Sequence, residues 1–186
     1  DIDGVCSTYI LLQAFERLGS DVDFEIPDRI KDGYGINESI IEQAHADGVE
    51  VILTCDNGIS AFHQVELAKK YGMTVVITDH HEVDSDGEKE KIRPADAESD
   101  AKQAGPFPEI CGAVVAYKLV QVLYARRGVP QMEWLDLLEF AAIATVGDVM
   151  KLQDENRILV KYGLKKMAQT KNLGLRRLAE KNNLDL

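Results

Sequence analysis

Two short runs of β-branched and apolar residues, Val51-Ile52-Leu53-Thr54-Cys55 and Thr74-Val75-Val76-Ile77-Thr78, stand on either side of a helix-patterned segment near residues 59–71. Strand, helix and strand in that order form a βαβ unit, which predicts parallel strands and a right-handed connection. Upstream, Leu11, Phe15 and Leu18 recur at helical spacing and Gly19 follows as a stop signal, so residues 5–18 are expected to form an amphipathic helix. A short strand is expected over 22–26, closed by Pro27. Residues 28–35 carry loop chemistry, and Asn37 offers a cap for a helix reaching residue 46. Downstream, residues 112–126 read as an apolar helix, and 135–146 are apolar almost all round, which predicts deep burial. Two or three short helices are expected over 155–182. The pattern as a whole predicts an α/β fold: a Rossmann-like, mainly parallel β-sheet flanked by helices, with a helical C-terminal part.

Residues 82–110 hold nine Asp/Glu against four Lys/Arg, with Gly and Pro and no apolar period, and are expected to form a long acidic surface loop. The chain of 186 residues, 45% hydrophobic and 28% charged, can bury one substantial core, and a single unit over 1–186 is the default expectation. No apolar run approaches the roughly 20 residues that span a bilayer, and no basic-then-apolar leader opens the chain, so neither a membrane anchor nor a secretion signal is expected. Cys6, Cys55 and Cys111 are widely spaced without a C-x-x-C pair, which argues against a disulfide framework or a zinc site and for a reducing, cytoplasmic setting. The opening Asp-Ile-Asp-Gly reads as the end of a motif, so a fragment of a longer protein is expected. A net charge of −11 counts against nucleic-acid binding, yet from Lys151 onward nine Lys/Arg face four Asp/Glu, which puts +5 there and −16 before it.

Chemistry enters at the strand ends. Both predicted strands run into an acid, Asp56 and Asp79, and in an open parallel sheet the ligand crevice lies beyond the carboxyl ends of the strands. Asp79 is followed by the chain's only adjacent histidines, His80 and His81. Asp1 and Asp3 lie two apart, where a strand would send both side chains the same way, and Gly4 then permits a tight turn; solvated acids in a turn account for such a pair as well. Asp148, in Thr145-Val146-Gly147-Asp148, follows the buried helix. An ionised carboxylate in apolar surroundings requires a partner, unless it caps the next segment.

Five Asp and two His converging on one cleft would repel one another and raise carboxylate pKa values unless cations were present. Oxygen-rich ligands with an imidazole suit Mn²⁺ or Mg²⁺ better than zinc. Two such ions about 3.5–4 Å apart lower the pKa of a bridging water and hold a scissile phosphate, which is the chemistry of phosphoester or phosphoanhydride hydrolysis. No Ser-His-Asp arrangement, Walker loop or G-x-G-x-x-G fingerprint competes, although Gly33-Tyr34-Gly35 is superficially a glycine-rich loop.

In order and spacing, Asp1-Ile2-Asp3-Gly4, Cys55-Asp56-Asn57-Gly58, Asp79-His80-His81 and Gly147-Asp148 resemble the four catalytic motifs of DHH phosphoesterases, over essentially the whole chain. Within that superfamily, residues 27–35, 54–60 and 111–119, and Asn156-Arg157, are similar to the RecJ-type single-strand-specific DNA exonucleases. The resemblance implies that Asp1 binds one metal, Asp3 the other, and Asp56 bridges them, with His80 and Asp148 completing the second metal's shell. It also implies that His81 contacts the scissile phosphate and Asp79 orients the histidines. Arg29 is expected either to contact a substrate phosphate or to make a loop-stabilising ion pair, and Tyr34 to pack.

Such proteins usually carry a further acid two positions before Asp1 and continue into a DHHA1 domain and an oligonucleotide-binding fold. Residues 1–186 are therefore expected to be a DHH catalytic domain without those parts, and its activity in isolation stays open. The implied function is 5′→3′ exonucleolytic hydrolysis of single-stranded DNA in repair and recombination, with two Mn²⁺ or Mg²⁺ ions. The implied partners are single-stranded DNA, a single-strand-binding protein and a helicase. The alternatives are a DHH phosphodiesterase acting on short oligonucleotides or cyclic dinucleotides, with pyrophosphatase further behind, and a non-catalytic scaffold, against which the intact motif acids argue.

Overall fold

A computed structural model of the chain describes residues 1–27, 35–81, 107 and 109–184. Its elements in chain order are α1 (Ile2–Arg17), α2 (Glu38–Ala46), β1 (Val51–Cys55), α3 (Phe62–Lys70), β2 (Thr74–Thr78), α4 (Gly112–Arg127), α5 (Gln131–Leu135), α6 (Leu138–Gly147), α7 (Asp154–Met167) and α8 (Leu173–Lys181). The protein is mixed α/β, with a parallel strand pair where the pattern places it and a helical C-terminal part. Its contacts fall into two compact units, Asp1–Asp21 with Glu109–Leu186, and Val22–Pro108. No helix among the described residues is long and apolar enough to cross a membrane.

In the Val22–Pro108 unit, β1 and β2 pair in parallel with Val51 opposite Thr74 and Cys55 opposite Thr78. Asp56 and Asp79, each one residue beyond a strand, are thereby carried to the same end of the pair. Helix α2 starts at the expected cap: the Asn37 side chain accepts the Ile40 N–H at 2.9 Å. Ile41, Ala68 and Met73 are the buried centre of this unit, with Ile52, Leu67 and Val75 packed against them. Helix α3 starts three residues later than expected, since residues 56–61 are taken up by a turn closed by a 2.9 Å bond from the Ala61 N–H to the Gly58 carbonyl. Gly58 has φ +110°, and a Cβ there would lie 2.7 Å from Thr54 Oγ1, so no other residue fits without strain.

The strand expected over 22–26 does not form. Residues 21–27 have no regular structure, and Phe24 and Ile26 are exposed. The alternation there is real, but a strand also needs a neighbour to bond its N–H and C=O groups. Arg29, Tyr34 and most of the acidic 82–110 segment lie outside the described residues.

In the other unit, α1, α4 and α6 pack on one another and α7 packs on α6. Ile10, Ala14, Val114, Val120 and Ala141 are fully buried. Helix α6 is buried on nearly every side, as its composition predicts, although it starts at Leu138 because the separate short helix α5 precedes it. At the α6–α7 contact a Cβ on Gly163 would meet that of Ala142 at 2.3 Å, so the two backbones approach closely. Lys118 of α4 pairs with Glu155 of α7 at 2.6 Å, and Arg17 of α1 pairs with Glu133 of α5.

Helix α1 begins at Ile2, ahead of the expected start, because Asp1 caps it: the Asp1 carboxylate accepts the Gly4 N–H at 3.0 Å. This corrects the strand reading of the first motif. Asp1 caps the helix and Asp3 lies in its first turn, two positions on and about 160° round the axis, so Asp3 turns inward while Asp1 stays exposed.

Candidate metal centre

In the Val22–Pro108 unit two threonines build the turn that carries Asp56. Thr78 Oγ1 donates to the Thr54 carbonyl at 2.7 Å across the strand pair, and Thr54 Oγ1 donates to the Asn57 carbonyl at 2.8 Å. The Asp56 N–H donates to the Thr78 carbonyl at 2.9 Å. Held in this way, Asp56 adopts φ 58°, a left-handed conformation that Asp tolerates better than most residues. Such conformations cost on the order of 1 kcal/mol and collect at functional sites. The turn leaves Asp56 only 6% exposed. His80 Nε2 lies 3.2 Å from Asp56 Oδ1, an ion-pair contact only when the imidazole is protonated, and that buried oxygen has no hydrogen-bond partner among the described residues.

Asp79 clamps the same turn to the histidines. Its Oδ2 accepts the Ile59 N–H at 3.0 Å, and its Oδ1 accepts the His80 N–H at 2.8 Å and the His81 N–H at 3.2 Å. The same Oδ1 lies 2.6 Å from His81 Nδ1. Burial pushes the Asp79 carboxyl up, but the bonds from Ile59 and His81 outweigh it and hold the group below the usual carboxylate value. An ionised Asp79 keeps a proton on His81 Nδ1 and makes Nε2 the ring's working nitrogen. The two imidazole rings stand 4.5 Å apart, and Asp56, His80 and His81 each offer a ligand atom within 4.8 Å of the others.

In the unit built on α1 and α4, Asp3 is 1% exposed. Its Oδ2 accepts the Gly112 N–H at 2.6 Å and its Oδ1 the Ala113 N–H at 2.7 Å, so the carboxylate sits on the N-terminus of α4, where a helix favours negative charge. The nearby thiols feel it: burial first and the Asp3 charge second push Cys6 up to about 11 and Cys111 up to about 12. Asn156, fully buried, donates to the carbonyls of Glu109 at 2.7 Å and Lys151 at 3.0 Å, and so fastens the stretch that leads into α4.

A carboxylate oxygen of Asp148 lies within 4.8 Å of one of Asp3. Gly147 makes this possible, since a Cβ there would meet Ile2 Cγ2 at 2.4 Å and hold the end of α6 away from the start of α1. The apolar surroundings expected for Asp148 are not found: α6 ends at Gly147, and Asp148, its C-cap, is exposed.

The structure therefore brings together Asp56, Asp79, His80 and His81 in one unit, and Asp3 and Asp148, with Asp1 capping the helix that carries Asp3, in the other. The reading of the sequence missed the Gly112 and Ala113 amides that hold Asp3. Small residues opening an apolar helix were the available signal, because they leave the amides open to an anion.

These residues fit a divalent metal. A buried carboxylate oxygen without a hydrogen bond is costly unless a cation meets it, and carboxylates mixed with imidazole are donors that suit Mn²⁺ or Mg²⁺. Compared with known families, residues 1–145 match the profile of the DHH family, N-terminal domain. The chain belongs to the DHH family. Over 189 aligned residues this DHH chain is 39% identical to the single-stranded-DNA-specific exonuclease RecJ of Bacillus subtilis (strain 168), covering 100% of its own length and 23% of that relative. Among solved structures it is similar to the crystal structure of exonuclease RecJ bound to manganese, with a TM-score of 0.79 and 32% identity over 97% of this chain and 45% of that one. It is also similar to RecJ in complex with Mn²⁺ from Thermus thermophilus, with a TM-score of 0.73 and 29% identity over 97% of this chain and 25% of that one. The DHH chain thus spans less than half the length of each of these proteins.

Proposed function

We propose that this DHH chain serves metal-dependent hydrolysis of phosphodiester bonds in single-stranded DNA, removing nucleotides from the 5′ end, with two Mn²⁺ or Mg²⁺ ions, in DNA repair and recombination in the cytoplasm. The observation that carries the reading is the buried Asp56 Oδ1 without a hydrogen bond, 3.2 Å from His80 Nε2 and beside a His81 that Asp79 clamps. The RecJ relatives and the manganese-bound RecJ structures support it.

In this reading Asp1, Asp3, Asp56, His80 and Asp148 are the metal ligands. Bound ions lower the pKa of a water and offset the charge of the scissile phosphate. The chain's own residues do the rest. Asp79 fixes the His81 ring through Nδ1, leaving Nε2 as the nitrogen that, when it carries a proton, donates to a phosphate oxygen. The Thr54 and Thr78 hydroxyl bonds keep Asp56 in its left-handed turn, and the α4 amides keep Asp3 in one rotamer, so neither carboxylate reorganises during the reaction. Arg29 is proposed as a substrate phosphate contact. Single-stranded DNA is the partner that the reading requires, with a single-strand-binding protein and a helicase as further partners.

The test is an assay of the full chain with Mn²⁺ on end-labelled single strands, on the same sequence as a duplex, and on cyclic dinucleotides. Single strands are expected to shorten from the 5′ end, and His81→Ala and Asp56→Ala to lose about a hundredfold or more in rate. Cleavage of the cyclic substrates alone would move the assignment to a cyclic-dinucleotide phosphodiesterase. No cleavage together with no Mn²⁺ binding in a calorimetric titration would leave the scaffold reading.

A further inference from the structure

We propose that the exposed face of α7 is a second nucleic-acid surface, on which Arg157, Lys161 and Lys165 hold the sugar-phosphate backbone of a single strand while Tyr162 stacks on a base. On the α7 wheel, Asn156, Val160 and Gly163 form the buried arc. The rest of the wheel carries Arg157, Ile158, Lys161, Tyr162 and Lys165, all exposed. Arg157, Lys161 and Lys165 follow one another at four-residue intervals, so they line one side of the helix over about 12 Å. A stretched strand presents phosphates at comparable intervals.

Two features separate this row from an ordinary solvated helix face. The first is that its cations lack acids. Neighbouring charges on the same helix are matched, Glu155 with Lys118 and Lys166 with Asp136 at 2.5 Å, whereas Arg157, Lys161 and Lys165 have no ion-pair partner among the described residues. The one acid on their arc is Asp154, at the first turn, where the helix dipole favours it. In a chain of net charge −11, three cations at four-residue intervals, none of them paired among the described residues, make a continuous positive row.

The second feature is apolar surface placed beside the row. Ile158 is 57% and Tyr162 53% exposed, and Lys161 Nζ stands 5.7 Å from the centre of the Tyr162 ring. A partner that matches both features is a polyanion with flat apolar faces. Single-stranded nucleic acid has phosphates for the cations and bases for the ring. An acidic protein surface lacks the stacking faces, and a lipid surface asks for a broader apolar stripe than Ile158 and Tyr162 provide. The nucleic-acid class rests on the proposed function, but no residue of this surface is among the proposed metal ligands.

The test measures binding of fluorescein-labelled oligothymidylate to the full chain by anisotropy, in EDTA, over a range of KCl concentrations. The triple variant Arg157→Gln, Lys161→Gln, Lys165→Gln is expected to reduce the slope of log K against log salt by about 2, at roughly 0.7 per phosphate contact on a single strand. Tyr162→Ala is expected to weaken binding about tenfold with the slope unchanged, and Tyr162→Phe to retain it. All positions are exposed, so melting temperatures should match that of the parent chain. An unchanged slope in the triple variant overturns the proposal, as does loss of binding to phosphatidylserine vesicles with oligothymidylate binding intact. Binding in EDTA that the triple variant loses, in a chain that hydrolyses no strand with Mn²⁺, would overturn the proposed function and leave this surface standing.

Discussion

Replacing Asp3 is expected to damage the fold before it damages any metal chemistry. The two bonds from the Gly112 and Ala113 amides, at 2.6 and 2.7 Å, are short charge-assisted bonds to a carboxylate that is almost wholly buried. Hydrogen bonds to charged groups contribute about 1.5–3 kcal/mol each, and an anion at a helix N-terminus adds up to about 1 kcal/mol. In Asp3→Ala both amides stay buried without a partner, so a loss on the order of 4 kcal/mol is expected, against a total stability of roughly 5–15 kcal/mol. For a chain of this length that corresponds to a melting temperature lower by on the order of 10 °C. Asp3→Asn keeps one acceptor oxygen and should lose about half as much. Asp1→Ala removes one exposed cap bond and should cost about 1 kcal/mol. The assay is thermal unfolding followed by circular dichroism in EDTA, so that metal ligation cannot contribute. If Asp3→Ala melts within about 2 °C of the parent chain there, on a scale of about 2–4 °C per kcal/mol, the amide bonds do not carry the stability assigned to them.

Gly147→Ala places a methyl group against Ile2 Cγ2 and should destabilise by about 1–3 kcal/mol; the double variant Ile2→Ala, Gly147→Ala should recover most of that loss in urea denaturation, and a double no more stable than Gly147→Ala refutes the contact. Burial raises the Glu139 carboxyl above its usual value, with the Thr170 hydroxyl bond and the Lys166 charge opposing and Asp136 reinforcing. The folded state therefore holds the Glu139 proton more tightly than the unfolded chain does, and this contribution to stability is full below the usual glutamate value, about 4.3, and lost as pH rises through the folded value. Glu139→Gln should flatten that decline, and urea midpoints from about pH 4 upward that fall in parallel for both proteins would contradict it. Gly58→Ala forces a Cβ to 2.7 Å from Thr54 Oγ1 at φ +110°; calorimetry should show weaker Mn²⁺ binding than in the parent chain, with an unaltered affinity counting against the turn's role in holding Asp56.

The βαβ unit and its two terminal acids were legible because β-branched runs at 51–55 and 74–78 have one reading when a helix lies between them, and the paired register then delivers Asp56 and Asp79 to one end. The buried helix α6 and the Asn37 cap were legible for similar reasons of composition and local chemistry. What failed depended on tertiary partners. D-x-D reads as strand alternation until Asp1 is seen to cap α1, and the inward turn of Asp3 is explained only by amides more than a hundred residues away. Phe24 and Ile26 alternate like a strand but find no ladder. Asp148 was expected in apolar surroundings from the helix before it, while the end of α6 at Gly147 leaves it exposed.

The bonds from Asp3 to Gly112 and Ala113 bridge 109 and 110 positions of chain. On the ribosome α1 therefore emerges long before the helix that holds its carboxylate, while every residue of the Val22–Pro108 unit is contiguous and can fold as it appears. At about 5–20 residues per second, the buried faces of Ile10, Leu11 and Ala14 wait several seconds for α4 and α6. The segment that carries the first motif thus acquires its final geometry only after α4 and α6 have emerged.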